Sequence, residues 1–189
     1  MEYIITPYSD PAPSVVYYDD AFTDQELDWL QERASNATIK AAVNGNRVVN
    51  NRRSQVSWLS NTSESMWVFE RLAHVVSVLN AKFFKYNLTG FGEKLQLTNY
   101  DHSENGMYAW HQDYGSQISR KLSLVLQLTD PSRYEGGNLQ TMTSQDVNTV
   151  RKQRGLITAF PSFTLHQVTP VTQGSRQSMV AWVSGPAFK

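Results

Sequence analysis

The spacing of apolar residues changes once along this chain, near Gly92, and that change constrains the fold more than any other feature of the sequence. Before it, Phe69, Leu72, Ala73, Val76, Leu79 and Phe83 recur at three- and four-residue intervals, which predicts an amphipathic helix within 64–83. A shorter helix over 24–34 is predicted from Thr23 and Glu26, spaced as a capping box, with Phe22 placed to staple onto Leu27. After Gly92 the helical period disappears. Short extended runs follow at 93–100, 107–111, 120–129, 137–142, 155–160, 165–169 and 176–183, divided by turn clusters such as Asp130-Pro131-Ser132 and Glu135-Gly136-Gly137. Helices followed by many short strands predict an α+β chain whose sheets form a sandwich or jelly roll, with N-terminal helices packed outside the sheet.

Alternation within the strands says which face meets which layer. Leu122, Leu124, Leu126 and Leu128 share one side of their run, while Ser123, Val125, Gln127 and Thr129 share the other. The same split sets Leu95 and Leu97 against Gln96, Thr98 and Tyr100, so the interior is expected to be partly polar and to hold a cavity for a polar ligand. Between 38 and 59, Asn44-Gly45-Asn46 signals the turn of an exposed hairpin made basic by Arg47, Arg52 and Arg53. No linker or repeat interrupts the 189 residues, which predicts a single domain over 1–189, with 1–92 as helical and hairpin support and 93–189 as the jelly-roll core.

Composition narrows the chemistry. With no cysteine, thiolate catalysis, disulfides, zinc fingers and iron–sulfur clusters are excluded, so a metal must be held by His, Asp or Glu. The 17 basic residues cancel the 17 acidic ones, which argues against an extended nucleic-acid surface. The absence of a long apolar run, together with a start, MEYIITPYSD, unlike a secretory leader, predicts a cytoplasmic protein with no membrane partner.

One constellation stands out. His111-Gln112-Asp113 places an imidazole and a carboxylate two positions apart at a strand end, where both project to one side. His166, at the start of a later strand, would complete the two-histidine, one-carboxylate facial triad of non-haem Fe(II), which leaves coordination positions open for a co-substrate and dioxygen. Arg176 opens the strand that carries Ser178, Val180 and Trp182 at alternate positions, and its guanidinium suits bidentate capture of a carboxylate.

Tyr108-Ala109-Trp110-His111-Gln112-Asp113, Arg120-Lys121-Leu122-Ser123, Tyr134-Glu135-Gly136-Gly137-Asn138-Leu139, His166-Gln167-Val168-Thr169-Pro170-Val171 and Gly174-Ser175-Arg176 follow in that order. In order and spacing the chain resembles the iron(II)- and 2-oxoglutarate-dependent dioxygenases, in the prolyl-4-hydroxylase-like branch that includes PKHD-type hydroxylases. The resemblance implies a double-stranded β-helix. It implies Fe(II) on His111, Asp113 and His166, and 2-oxoglutarate on Arg176 with Tyr100 as a second contact and Trp182 and Val180 lining its site. At Gln127 the sequence departs from the tyrosine that related prolyl hydroxylases often present to the co-substrate. The activity implied is hydroxylation of an unactivated C–H, with peptidyl proline the leading substrate, O2 consumed and ascorbate a reductant. The retained Asp113 favours hydroxylation over halogenation. Arg47, Arg53 and Tyr108 are the candidate substrate contacts, and the 38–59 hairpin is a candidate closing loop.

Other readings of the same residues remain open at this level. An isolated His-x-Asp also occurs as a structural hydrogen-bonded pair, Arg176 as a solvated cation, and Tyr100 and Trp182 as core aromatics. The same oxygenase chemistry on a free amino acid, small metabolite or nucleobase, and a non-catalytic jelly-roll module binding a metal or ligand, are the rival functions.

Overall fold

The computed structural model describes residues 13–41, 51–115 and 118–187. Helix α1 (Asp24–Ser35) opens with the expected capping box: Glu26 N–H donates to Thr23 Oγ1 at 3.3 Å, and Thr23 N–H donates to the Glu26 carboxylate at 2.8 Å. That carboxylate also pairs with Arg71 of helix α2 (Met66–Leu79) at 3.0 Å, which ties the two helices together. A π-helical turn, Asn80–Phe84, continues α2 and ends at Lys85, so the apolar stripe through Phe83 belongs to two kinds of helix.

The strands, in chain order, are β1 (Val16–Tyr18), β2 (Ile39–Lys40), β3 (Arg52–Arg53), β4 (Gln55–Leu59), β5 (Gly90–Phe91), β6 (Leu95–Asp101), β7 (Met107–His111), β8 (Arg120–Gln127), β9 (Tyr134–Gly136), β10 (Leu139–Thr143), β11 (Asp146–Thr149), β12 (Ile157–Pro161), β13 (Leu165–Val168) and β14 (Val171–Ser184). Among the described residues they form two sheets. The larger runs β1-β12-β8-β14-β6-β4-β2, with β5 and β9 also on β14, and the smaller runs β11-β10-β13-β7-β3. This is a jelly roll braced by helices, as the alternation of apolar residues predicts.

The two faces of the larger sheet go to different places. Leu122, Leu124 and Leu126 of β8, with Leu95, Leu97 and Met179, pack against Leu30, Ala34, Leu72 and Val76 of the helices. Residues of opposite parity, among them Tyr100, Val125 and Phe160, meet Leu139, Val168 and Val171 between the sheets. Covering the outer face with helices is what lets the inner face carry polar groups around a cavity.

Turn chemistry fixes where β9 ends. Gly136 and Gly137 have φ of +70° and +55°, and a Cβ on Gly136 would stand 2.1 Å from Pro170 O, so only glycine lets the chain pass there.

The segment predicted as a basic hairpin is shared between the sheets. β2 pairs with β4 in the larger sheet, Ile39 opposite Val56, whereas β3 pairs with β7 in the smaller one, Arg52 opposite Tyr108. The chain crosses between sheets at the buried Ser54. The predicted turn, Asn44-Gly45-Asn46, and Arg47 lie outside the described residues. No described helix is long and apolar enough to cross a membrane.

Leu124 is 2% exposed beneath the helices, so Leu124→Ala is expected to cost about 2–5 kcal/mol, against about 1 kcal/mol for removing the α1 cap with Thr23→Ala. Urea denaturation midpoints of the two variants check the order.

Candidate active site

Strand pairing assembles the triad. β7 and β13 run antiparallel with His111 opposite His166, and a register shift follows before Val168. The two imidazole centroids stand 4.1 Å apart, and with Asp113, two residues beyond His111, the candidate ligand atoms all lie within 4.8 Å of one another.

Each ring is oriented by its own strand. His111 Nδ1 lies 2.8 Å from Ala109 O and His166 Nδ1 lies 2.9 Å from Thr164 O. Carbonyl oxygens only accept, so both Nδ1 atoms carry the hydrogen and each ring turns its Nε2 toward Asp113. Asp113 Oδ1 is 3.8 Å from His111 Nε2, and Oδ2 is 3.6 Å from His166 Nε2. Two imidazole nitrogens and a carboxylate converging within 4.8 Å, a nitrogen and oxygen set with no thiolate, suit octahedral Fe(II). The residues present therefore fit an iron ion.

Electrostatics hold the site in its ligating form. Burial, reinforced by His166, pushes the His111 imidazolium down to about 4, so the ring is neutral at neutral pH. For Asp113, burial pushes the carboxyl up, but the nearby His166 and His111 and a hydrogen bond from Ser123 outweigh it and leave it below the usual carboxylate range. Ser123 Oγ donates to Asp113 Oδ2 at 2.7 Å and lies 3.1 Å from Ser162 Oγ, while Asp113 N–H donates to Ser162 O at 3.0 Å. Strand β8 and the turn before β13 thus fix the carboxylate from two sides.

A cavity of about 220 Å³ opens beside the triad. At its closed end Arg176 is 3% exposed, and its Nε donates to Gln127 Oε1 at 3.1 Å. Gln127 in turn donates through Nε2 to Thr129 O at 2.9 Å and to the Tyr134 hydroxyl at 3.1 Å. Gln127 therefore stands behind Arg176 and does not line the main cavity, and the phenol of Tyr134 on that side meets both Gln127 and Arg176. Tyr100 lies opposite Arg176 in the β6–β14 register and lines the wall together with Val180 and Trp182. Strand parity, read from the sequence, places Val180 and Trp182 on the Arg176 face, and the β6–β14 register adds Tyr100.

The open end is built from Arg52, Trp58 and Tyr108. The Tyr108 ring stacks on His111 with centroids 3.4 Å apart and planes 15° from parallel, and the Arg52 guanidinium lies 4.5 Å from the Tyr108 centroid. Arg53 does not join them: it is exposed and donates from Nε to Asn105 O at 3.0 Å. Trp58, Gln96 and Arg120 line the cavity without having been singled out as site residues from the sequence, and Arg52, noted there as part of the basic hairpin, lines it too. Arg120 makes a two-point pair with Glu93, both contacts 2.6 Å, and covers Trp182 at 3.9 Å. The polar parity of Gln96 was a usable signal, whereas a two-residue strand gave none to separate Arg52 from Arg53.

Asp113→Ala is expected to abolish stoichiometric Fe(II) binding while cooperative thermal unfolding persists. Ser123→Ala, which removes the bond orienting the carboxylate, should weaken metal binding by about 10- to 100-fold. Anaerobic calorimetric titration with Fe(II) checks both.

Residues 95–184 match the 2OG-Fe(II) oxygenase superfamily. A PKHD-type hydroxylase of Teredinibacter turnerae is 27% identical over 167 residues, which cover 84% of this chain and 68% of that protein. One from Prochlorococcus marinus is 40% identical over 83 residues, 43% of this chain but only 38% of its own length. Among solved structures, a Trichoplax adhaerens prolyl hydroxylase, in complex with a hypoxia inducible factor peptide fragment, superposes with a TM-score of 0.76 at 15% identity, covering 91% of this chain and 84% of that one. A Pseudomonas putida prolyl-4-hydroxylase gives 0.71 at 16% identity, covering 92% and 94%. At such identities the structures speak for the jelly-roll fold alone. The superfamily match begins on β6 and ends with β14, so it contains the whole triad and Arg176. Over residues 95–184 the chain matches the 2OG-Fe(II) oxygenase superfamily, and it is similar to PKHD-type hydroxylases along most of its length, which supports a 2-oxoglutarate-dependent dioxygenase.

Proposed function

We propose that this protein hydroxylates a peptidyl proline, using Fe(II) held by His111, Asp113 and His166 and 2-oxoglutarate held by Arg176. The observation that carries the reading is the shape of the cavity: sealed by a buried cation at one end, open at Trp58 and Tyr108 at the other, and at about 220 Å³ smaller than the roughly 300–1,000 Å³ of sites that engulf drug-sized ligands. Such a space accepts a co-substrate and one small side chain offered from outside, which suits a residue in a peptide. The peptide bound by the Trichoplax relative supports this choice.

Bound together, Fe(II) and 2-oxoglutarate supply oxidative decarboxylation coupled to insertion of one oxygen atom of O2 into a C–H bond. Ascorbate serves as the reductant that keeps the metal ferrous. The protein's part is placement and exclusion of water. Arg176 takes the distal carboxylate as a two-point hydrogen-bonded pair, oriented from behind by Gln127. Tyr100 and Trp182 wall the co-substrate, and Val125, Leu139 and Val180 keep that wall dry. At the open end the Tyr108 ring, itself stacked on His111, offers a flat surface for the prolyl ring close to the metal.

The test is incubation of the Fe(II)-loaded protein with 2-oxoglutarate, ascorbate and O2 against a panel of prolyl peptides, free amino acids and oligonucleotides, following succinate and the gain of one oxygen atom by mass. Prolyl peptides should stimulate succinate formation and carry the added oxygen on proline. Oxygen gained only by free amino acids or bases overturns the peptide assignment. In the same assay Arg176→Ala should raise the 2-oxoglutarate concentration needed for half-maximal turnover by on the order of tenfold or more, the usual scale for a lost charge-assisted bond.

A further inference from the structure

The ionic groups on the cavity wall are unequal in their partners. Arg120 is neutralised in place by Glu93, and Arg176 and Asp113 belong to the co-substrate and the metal. Arg52 remains. Half-buried at the open end, it has no carboxylate within ion-pair distance among the described residues, and its contacts are neutral acceptors: Nε donates to Ser54 Oγ at 2.9 Å and Nη2 to Gln96 Oε1 at 2.8 Å. Those acceptors form a built cradle. Ser54 is 5% and Gln96 6% exposed, and Gln96 Oε1 also accepts from Thr98 Oγ1 at 3.3 Å, so the guanidinium is held in one orientation over Tyr108.

Loading the site does not supply the missing anion. A ferrous ion and Arg176 together balance the two carboxylates of 2-oxoglutarate and that of Asp113, which leaves the Arg52 charge in excess within a partly dry cavity. A planar fork so placed recognises a carboxylate in two-point fashion, more selectively than an ammonium would.

We propose that Arg52 is a specificity-determining residue that binds a carboxylate of the primary substrate beside the carbon to be hydroxylated. The inference deepens the peptidyl-proline reading and rests on it: the carboxylate belongs to an acidic side chain flanking the proline, or to the peptide's own C-terminus when proline is last.

The experiment measures binding rather than turnover. Protein loaded anaerobically with Fe(II) and 2-oxoglutarate is titrated calorimetrically with matched peptide pairs, Asp-Pro against Asn-Pro and C-terminal proline acid against its amide. At least one acidic member should bind on the order of tenfold more tightly than its neutral partner, and which pair shows the difference identifies the source of the carboxylate. Arg52→Gln should erase the difference, Arg52→Lys should retain part of it, and Arg52→Glu should turn the preference toward a Lys-Pro peptide. Equal affinity within both pairs in the wild type overturns the proposal without any variant, as does a preference that survives in Arg52→Gln. Failure of the underlying reading looks different: no peptide binds in either form. The comparison then moves to free proline against prolinamide, where preference for the acid upholds the role of Arg52 and equal binding overturns it.

Discussion

One register, His166 opposite His111 on β13 and β7, is the constraint on which the rest of the site depends. Side chains alternate along a strand, so a slip by one residue would send one imidazole to the far face of the smaller sheet and leave no triad. Both rings are then set by the same local device, an Nδ1–H donated to the carbonyl two residues back, at Ala109 and Thr164. Because the device is internal to each strand, ring orientation follows from the backbone once pairing is made, and Asp113 needs only the Ser162 and Ser123 contacts to face the pair.

The larger sheet makes this register affordable by separating its two duties. Its outer face is leucine-rich and buried under α1 and α2, which supplies the apolar contact that stabilises the layers. Its inner face is therefore free to carry Ser123, Gln127, Arg176 and Ser178, groups that weaken a core unless hydrogen-bonded. They are largely satisfied by each other, as in the chain from Arg176 through Gln127 to Tyr134. The helices contribute no residue to the cavity wall, yet without them the sheet could not spend a face on polar chemistry.

What the sequence made legible follows the same division. Long strands with clean alternation, β6, β8 and β14, revealed which residues face inward, and the ordered motifs around His111, His166 and Arg176 revealed the triad and the closed end. The short strands β1, β5, β9 and β11 have too few residues for a period to show, and each exists because a longer neighbour offers it an edge. The same brevity hid Arg52. In a two-residue strand neither arginine carries a sign of its direction, and only the pairing of β3 with β7 turns Arg52 into the cavity and Arg53 toward Asn105. Gln127 was visible as a departure from the tyrosine its family resemblance suggests, but its place behind Arg176 depends on the third dimension.

The three arginines of the cavity wall show how a partner's chemistry sorts their duties. Arg120 meets the Glu93 carboxylate at two points and becomes a neutral unit that covers Trp182 and donates to the Asp113 carbonyl at 3.3 Å. Arg176 and Arg52 are each held instead by a glutamine side-chain oxygen, Gln127 at 3.1 Å and Gln96 at 2.8 Å. An amide oxygen orients a guanidinium as a carboxylate does but leaves its charge unspent, so the field of each reaches whatever enters the cavity. A carboxylate at either position would neutralise the guanidinium and remove the reason for an anion to bind. An amide in place of an acid beside two of the three arginines thus leaves their charge available at the two ends of the cavity, whereas the third arginine is neutralised as wall.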